Sequence, residues 1–303
     1  MKISLIGAAG ILGSAAAFEI ATRGLADELV MVDIKRNVLM HHIMDIRTAL
    51  TGHYTTKIRD GASDEDLSGS DIVIVTAGLH VPDRAKLLKA NLPLMKDLAG
   101  KIKRFCPGAV VITATNPVDP LNYAMQRYLE SNRHRVLGYS LNDSIRFRML
   151  VAQELGIEST RVEGIIIGEH IHNMVFLFSS VKVDGKPFPV SSEVKQKVRQ
   201  GVPAIMKEYD RLQANRTTGW TTAIGLTSIV SAICGNTGKL IPCSMVLDGE
   251  YGCRNLSMGV PSVIGKGGVK EIVRMDLPGD EELELEHAID CLKETAREVD
   301  KAL

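Results

Sequence analysis

Residues 2–24 read KISLIGAAGILGSAAAFEIATRG, a short apolar run followed by spaced glycines and then by small residues. The run over residues 2–6 is typical of a buried strand, and residues 14–24 have a helical pattern. Glycines between a strand and a helix allow a tight turn, a close approach of the backbone to a pyrophosphate, and close packing of helix on strand. The free N–H groups of the helix N-terminus would face the phosphates. The stretch therefore predicts a dinucleotide-binding unit.

The spacing of these glycines is GxxGxxG, one residue longer than the common GxGxxG form. Asp33 ends the next apolar run, at residues 28–33, 20 positions after Gly13. A carboxylate there can accept both ribose hydroxyls of NAD and would repel the extra phosphate of NADP. An ordinary glycine turn with a capping Asp is the alternative explanation. The candidate cofactor-binding residues of this unit are Gly7, Gly10, Ile11, Leu12, Gly13 and Asp33.

Apolar runs continue to alternate with helical patterns through the first half of the chain. Residues 71–78 and 109–117 are further runs, and each is followed by a helical segment. Runs of Val and Ile without polar alternation are typical of parallel strands that are covered on both faces. Repeated strand–helix–strand units predict a doubly wound parallel sheet of the Rossmann type, with right-handed crossovers. We assign residues 1–138 to this α/β domain and expect it to bind NAD.

The pattern changes after about residue 138. Residues 141–156 are helical, and the following apolar stretches suggest antiparallel strands with Asp184-Gly185 as a hairpin turn. Two long helical stretches, more strands and an amphipathic C-terminal helix complete the chain. We therefore predict a second, α+β domain over residues 139–303, packed closely against the first.

The composition argues against several classes of protein. Lys plus Arg and Asp plus Glu are both 36 among 303 residues, so no net charge points to nucleic acid or an anionic membrane. There is no long uninterrupted apolar window and no signal-peptide layout. The five cysteines form no C-x-x-C pair, so a disulfide framework or zinc ribbon is not expected. We expect a cytoplasmic protein without a nucleic-acid or membrane partner.

Several chemically active side chains stand at predicted strand ends or helix starts. Asp143 and Arg146 are three residues apart near a helix start and can share one face, although such a pair is often a solvated surface pair. Asn116 ends a predicted parallel strand, at the edge where ligands of open α/β sheets bind. Arg84 lies in the loop after residues 76–78. We therefore expect these charged side chains and the Asn116 amide to lie near one cleft.

The stretch GEHIHN at residues 168–173 follows the apolar run VEGIII. His170 and His172 alternate, so both could face one cleft if the strand continued. Three interpretations are open: a catalytic base, a metal site, and a polar strand end. A metal site built from these two histidines lacks further ligands at a sensible spacing.

Taken together and in this order, these motifs resemble the lactate/malate dehydrogenase family over nearly the whole chain. The final stretches are most similar to the malate members. The matching segments are GAAGILG, VD at 32–33, VTAG at 75–78, ATNPVD at 114–119, LNDSIRFR at 141–148, IIGEH at 166–170, LDGEYG at 247–252 and MGVPSVIGKGGV at 258–269.

The resemblance implies that residues 139–303 form the substrate and catalytic domain, and it implies roles for three of the candidates. His170 would be the acid/base that exchanges the substrate hydroxyl proton. Asp143 would hydrogen-bond the histidine, set its tautomer and favour its protonated form. Arg146 would clamp the substrate carboxylate at two points and so orient the reacting carbon.

The resemblance also implies contributions from the first half. Arg84 would polarise the carbonyl oxygen from a loop that closes over the site. Asn116 would hydrogen-bond the substrate. The cofactor residues that it adds are Thr76, Ala77, Gly78 and Asn116. It further implies a homodimer or homotetramer and a small 2-oxo or 2-hydroxy acid as substrate.

The loop after residue 78 departs from the family pattern. It is shorter than usual, and Arg84 best matches the polarising arginine because Ala-Lys-Leu-Leu follows it. No arginine is left in the loop to select a second carboxylate, as malate members do. Losing such a charge-assisted pair changes discrimination by orders of magnitude. His80, Arg47 and Lys86 are the candidates that would replace it.

Two further departures concern the substrate pocket. Ile171-His172 stands where the family usually has Gly-Asp after the catalytic histidine, and His172 is then best interpreted as a polar residue at the cleft rim. Trp220, the single tryptophan, aligns with a small residue or threonine that lines the pocket. A core aromatic is the alternative for Trp220.

The sequence thus predicts an NAD-dependent dehydrogenase of an L-2-hydroxy acid, most similar to malate enzymes. A lactate-type or other monocarboxylic 2-hydroxy acid dehydrogenase is one alternative, and a non-catalytic NAD-binding sensor is another. An NAD-dependent glycosidase is disfavoured because it needs a longer chain and a metal held by Cys and His, and no cysteine is adjacent to His170.

Overall fold

The computed structural model describes residues 1–79, 81, 84–214 and 218–303, except the side chains of residues 84 and 85. Its first six strands are parallel and adopt the order β3-β2-β1-β4-β5-β6. This is the strand order of the Rossmann fold, so the predicted doubly wound domain is confirmed. The strands are β1 (Lys2–Ile6), β2 (Glu28–Val32), β3 (Lys57–Asp60), β4 (Ile72–Val75), β5 (Val110–Thr113) and β6 (Val136–Tyr139).

The central strands β4 and β5 are buried at every position, as their Val- and Ile-rich sequences predict. The sequence pattern did not identify β3 or β6. β3 reads KIRD and buries only Ile58, because it is the edge strand of the parallel part. β6 has only four residues and includes Gly138, which weakens its apolar signal.

Helices cover both faces of the parallel strands. The first of them buries small residues such as Ala16 and Ala17, which allow its axis to approach the sheet. The helices of the first half are α1 (Ile11–Thr22), α2 (Arg36–Leu50), α3 (Arg84–Phe105) and α4 (Val118–Leu129).

The second half is built of antiparallel strands and helices, as predicted. Its helices are α5 (Leu141–Leu155), α6 (Ser192–Arg211), α7 (Gly219–Cys234) and α8 (Gly279–Asp300). Its strands are β7 (Val162–Gly168), β8 (Met174–Val183), β9 (Lys186–Pro187), β10 (Lys239–Asp248), β11 (Arg254–Gly265) and β12 (Gly268–Ile272). Asp184 and Gly185 join β8 to β9 with φ of 51° and 75°, so the predicted hairpin turn is confirmed.

The two halves share one sheet. Strand β10 pairs antiparallel with β6 through Cys243 with Tyr139 and Ser244 with Gly138. A Cβ on Gly138 would lie 2.8 Å from the Ser244 Cβ, so this crossing requires glycine. The largest apolar cluster contains residues of both halves, which packs them closely. The predicted boundary after residue 138 therefore falls within the strand that joins the halves. Within the described ranges, no helix is both long and apolar enough to span a membrane.

Candidate active site

The candidate residues converge at the carboxyl ends of the parallel strands. In such a sheet these ends form a crevice where the strand order reverses, and ligands bind there. The candidates that follow parallel strands are Gly7 after β1, Asp33 after β2, Thr76 after β4, Asn116 after β5 and Asp143 after β6; His170 follows the antiparallel strand β7 and meets Asp143 there.

The glycine turn is so closely packed that two of its glycines admit no side chain. A Cβ on Gly7, where φ is +95°, would lie 2.5 Å from the Ala77 backbone nitrogen. A Cβ on Gly13 would lie 2.2 Å from the Gly7 carbonyl oxygen. Gly10 is exposed and is the N-cap of α1, whose first turn carries no acidic side chain. The positive end of the α1 dipole is therefore open to an anionic ligand such as a pyrophosphate.

Asp33 stabilises this turn as well as facing the crevice. Its carboxylate accepts hydrogen bonds from the backbone N–H of Ala9 at 2.9 Å and of Lys35 at 2.8 Å. Ile34 beside it is 94% exposed, an apolar surface at the edge where an adenosine would lie. The turn, the helix end and the carboxylate thus fit the dinucleotide that the sequence predicts.

The segment after β4 packs against the glycine turn and is hydrogen-bonded to the end of β1 and to the segment after β5. The Thr76 hydroxyl donates to the Ile6 carbonyl at 3.0 Å, and the Thr115 hydroxyl donates to the Ala77 carbonyl at 2.7 Å. A Cβ on Gly78 would lie 2.6 Å from the Thr115 Cγ2. The three predicted cofactor residues 76–78 therefore lie between the turn and the end of β5.

Asn91 on α3 connects the two strand ends and was missed by the sequence interpretation. It is fully buried, its Oδ1 accepts the Leu79 N–H at 2.8 Å, and its Nδ2 donates to the Asn116 carbonyl at 3.2 Å. The Asn116 side chain is exposed to the crevice edge, and its bond to Pro117 is cis. A polar residue within the apolar helical stretch LLKANLPLM was the available signal.

The central group consists of His170, Asp143 and Arg146. The His170 Nδ1 lies 2.6 Å from the Asp143 Oδ2, and the Arg146 Nη1 donates to the Asp143 Oδ1 at 3.2 Å. Asp143 and Arg146 are only 3% and 5% exposed, so a solvated surface pair, the alternative that the spacing left open, is wrong. Because Nδ1 is engaged with Asp143, Nε2 is the nitrogen that can exchange a proton with a ligand.

The surroundings favour a protonated histidine. Burial lowers the His170 pKa, but the charge and hydrogen bond of Asp143 together with the charge of Asp119 outweigh it, and the pKa is raised. Arg146 opposes this increase. The direction of this shift favours the protonated ring, which is the form that a general acid needs.

The GEHIHN segment leaves its strand before the histidines, so they do not share a face. The His170 backbone N–H donates to the Asp119 Oδ2 at 2.8 Å, and Ile171 has a φ of +75°. His172 is exposed, as expected for a polar residue at the rim. Among the described residues, no group of three or more His, Cys, Asp or Glu could hold a metal ion. Asp119 had no predicted role, although it stands in the quoted motif ATNPVD.

Trp220 lies at the rim of the crevice in the first turn of α7. A Cβ on its neighbour Gly219 would be 2.6 Å from the Ile11 Cγ2, so α7 begins directly beside the start of α1. The Asn142 Nδ2 donates to the Thr222 hydroxyl at 2.8 Å, which connects α7 to the start of α5. Trp220 is 78% exposed, so the alternative of a core aromatic is wrong.

The candidates for a second-carboxylate receptor have different positions. Arg47 on α2 donates to the Ile58 carbonyl at 3.0 and 2.7 Å, on the edge strand β3, and this engagement argues against a substrate role. Lys86 is exposed in the first turn of α3. His80 and the Arg84 side chain lie outside the described residues, although α3 begins at Arg84.

Comparison with known proteins decides the family. Residues 1–138 match the lactate/malate dehydrogenase NAD-binding domain, and residues 141–302 match the alpha/beta C-terminal domain of the same family. The chain belongs to the lactate/malate dehydrogenase family. This family member is an NAD-dependent 2-hydroxy acid dehydrogenase, as the sequence predicts.

Individual relatives support the same assignment. A malate dehydrogenase of Natronomonas pharaonis is 35% identical over 91% of this chain and 92% of its own. The malate dehydrogenase structure from Aeropyrum pernix superimposes with a TM-score of 0.91, at 31% identity and 97% coverage of both chains. A Cryptosporidium parvum lactate dehydrogenase, solved with lactic acid and NAD, gives 0.92 at 29% identity, covering 99% of this chain and 98% of its own.

The glycine turn gives a direct test of cofactor binding. We expect Gly13→Ala to weaken NADH binding at least tenfold, because the added methyl group would push the Gly7 carbonyl and distort the turn. Gly100→Ala on α3 is the matched control, since nothing lies within 4 Å of its Cβ. Titration of NADH by its fluorescence measures both variants. Equal affinities would contradict the assignment of the turn.

Proposed function

We propose that the enzyme interconverts L-malate and oxaloacetate with NAD, and that residues 1–138 hold the cofactor while residues 139–303 supply the acid/base and the carboxylate clamp. The observation that carries the proposal is the buried His170–Asp143–Arg146 group at the carboxyl ends of the strands, next to the glycine turn. The malate dehydrogenases among its relatives support the choice of substrate.

The proton step follows from the geometry of His170. In reduction, Nε2 gives its proton to the 2-oxo oxygen as that oxygen becomes a hydroxyl, and in oxidation Nε2 takes the proton back. Asp143 on Nδ1 keeps the ring orientation constant and stabilises the charged form. The catalytic role of His170 thus depends on a carboxylate that is itself buried.

The substrate is oriented by guanidinium and amide groups. We assign Arg146 to a two-point clamp on the carboxylate beside the reacting carbon. Asn116 would hydrogen-bond the substrate from the end of β5, and Arg84 would stabilise charge on the carbonyl oxygen. Trp220 and His80 are the remaining proposed substrate contacts, at the rim and in the loop. NAD, when bound along Gly7, Gly10, Gly13 and Asp33, supplies the hydride acceptor.

A panel of 2-oxo acids with NADH tests this function. We expect turnover with oxaloacetate to exceed turnover with pyruvate and with longer monocarboxylic 2-oxo acids, followed by the nicotinamide absorbance. A preference for pyruvate would instead support the lactate-type alternative. No turnover with any member of the panel would support the NAD-binding sensor.

Because the loop after residue 78 lacks an arginine that would bind the second carboxylate of the substrate, His80 is the residue to replace. We expect His80→Ala to raise the KM for oxaloacetate about tenfold or more and to leave the KM for pyruvate nearly constant, because only oxaloacetate carries a second carboxylate. His172→Ala is the matched control, an exposed histidine of the GEHIHN segment. Equal increases for both substrates would refute the role of His80.

We further propose a cytoplasmic homodimer or homotetramer that has no nucleic-acid partner. The balanced charge of 36 acidic and 36 basic residues supports the last point. Sedimentation measurements on the purified chain would determine the number of subunits.

A further inference from the structure

The turn that carries His170 is strained at its next residue. Ile171 has a φ of +75°, and it is the single β-branched residue with a positive φ in the described part of the chain. A branched Cβ is crowded by the backbone in this region, so such a conformation persists only where the surroundings impose it. The contacts that impose it are therefore informative about the position of His170.

Two buried carboxylates hold this turn by its successive N–H groups. Asp119 Oδ2 accepts the His170 N–H at 2.8 Å, and Asp143 Oδ2 accepts the Ile171 N–H at 3.3 Å. Asp143 Oδ2 also binds the His170 Nδ1 at 2.6 Å. The ring orientation is thus determined by Asp143, and the backbone from which the ring projects is held by Asp119.

Asp119 is itself anchored in a buried polar chain between the two halves. It is 1% exposed, and its Oδ1 accepts the Ser244 hydroxyl of β10 at 2.5 Å. The Ser244 hydroxyl lies 2.9 Å from that of Ser257 on β11, to which Asn122 of α4 donates at 3.0 Å. Among the described residues, no Lys or Arg forms an ion pair with Asp119. Burying a carboxylate away from water is unfavourable, and the hydrogen bonds from the Ser244 hydroxyl and the His170 N–H offset this cost at Asp119.

We propose that Asp119 is a positioning residue of the dehydrogenase reaction, which holds the strained His170–Ile171 turn so that the His170 Nε2 faces the substrate. The proposal rests on the proposed acid/base role of His170. It assigns to α4, an element of the cofactor-binding half, a direct part in the geometry of the catalytic residue that the other half carries.

The charges around Asp119 give the proposal a second, electrostatic readout. Burial raises the Asp119 pKa to about 6, against the opposing hydrogen bonds of Ser244 and the His170 N–H and the opposing charge of the His170 ring; the charge of Glu169 adds to the increase. The facing charges on the His170 ring are those of Asp143 and Asp119, which raise its pKa, and of Arg146, which lowers it. Removing the Asp119 charge lowers the His170 pKa. The fall of oxaloacetate reduction at alkaline pH should then begin at lower pH.

A pair of backgrounds separates positioning from a purely electrostatic effect. We expect Asp119→Asn to lower kcat for oxaloacetate reduction about thirtyfold in the wild-type background, within the range that proton-transfer geometry contributes. In the Ile171→Gly background, where the turn is unstrained, the same change should cost no more than about threefold. The KM for NADH should stay constant, and the alkaline limb should shift to lower pH in both backgrounds. An equal loss of kcat in both backgrounds would overturn the proposal.

The matched control is Glu281→Gln on α8. Glu281 is also 1% exposed, and it likewise accepts a backbone N–H and a hydroxyl, both from Ser179, at 2.9 and 2.6 Å. The Glu281→Gln variant should have a lower thermal midpoint and an unchanged alkaline limb of the pH profile. If Asp119→Asn fails to fold, Ser244→Ala removes the hydroxyl on Oδ1 instead, and its kcat loss must shrink in the Ile171→Gly background.

The proposed function and the positioning role fail in different ways. If His170→Asn retains turnover, the acid/base assignment is wrong, whatever Asp119 does. If His170→Asn is inactive and the loss caused by Asp119→Asn is the same in both backgrounds, only the positioning role is wrong.

Discussion

Replacing His170 with Asn should lower turnover of 2-oxo acids about a thousandfold or more and leave NADH affinity unchanged. Proton transfer by a positioned side chain contributes about 10²–10⁴-fold to the rate. An Asn side chain has no atom that can take the place of the His170 Nε2 as acid or base. The Asn amide fits within the space of the imidazole ring, and its nitrogen can still donate to Asp143 as the His170 Nδ1 does, so the surrounding fold should persist. Steady-state turnover and an NADH titration measure the two quantities separately.

A control histidine and a pH profile sharpen this test. His134→Asn changes a histidine whose Nδ1 lies 3.0 Å from the Val269 carbonyl, at the opposite end of β6, and should retain turnover. Because Asp143 and Asp119 raise the pKa of His170 against the opposing effect of burial, reduction should persist through neutral pH. Reduction should decline only as the pH passes the raised pKa, while oxidation of the hydroxy acid increases. Substantial turnover by His170→Asn would refute the acid/base assignment.

The second large effect is expected at Arg146. Arg146→Lys keeps a positive charge near Asp143 but loses the two-point geometry, so kcat/KM should fall about 10²–10⁴-fold. The clamp binds the carboxylate beside the reacting carbon, which all 2-oxo acids share. The decrease should therefore be equal for oxaloacetate and pyruvate, in contrast to the substrate-selective effect at His80.

Arg148→Lys is the matched control on the same helix. Arg148 lies about half a helical turn after Arg146, and its Nε donates to the Ser144 carbonyl at 3.1 Å. Its replacement should change kcat/KM by less than a factor of about three. A decrease at Arg146 confined to oxaloacetate would mean that Arg146 binds the second carboxylate instead. In that case the group that binds the first carboxylate would have to be sought elsewhere.

Much of the fold follows from local patterns. The parallel strands were visible because both faces are buried, so Val and Ile run without alternation. The edge strand β3 was invisible because it buries only Ile58, and β6 was invisible because Gly138 interrupts a short run. The requirement for Gly138 arises from the Ser244 Cβ on a strand more than a hundred residues away, which no local pattern contains.

The candidate site divides along the same line. Spacing and motif order are properties of the chain, and they predict the glycine turn, the carboxylate after β2, and the set of Asp143, Arg146 and His170. The packing of the chain was needed to show that Asp143 and Arg146 are buried rather than solvated, that Asn91 connects two strand ends, and that Asp119 accepts the His170 N–H. Burial and hydrogen bonding depend on residues brought together from distant positions: the N–H groups of His170 and Ile171 donate to carboxylates that stand 51 and 28 positions earlier in the chain.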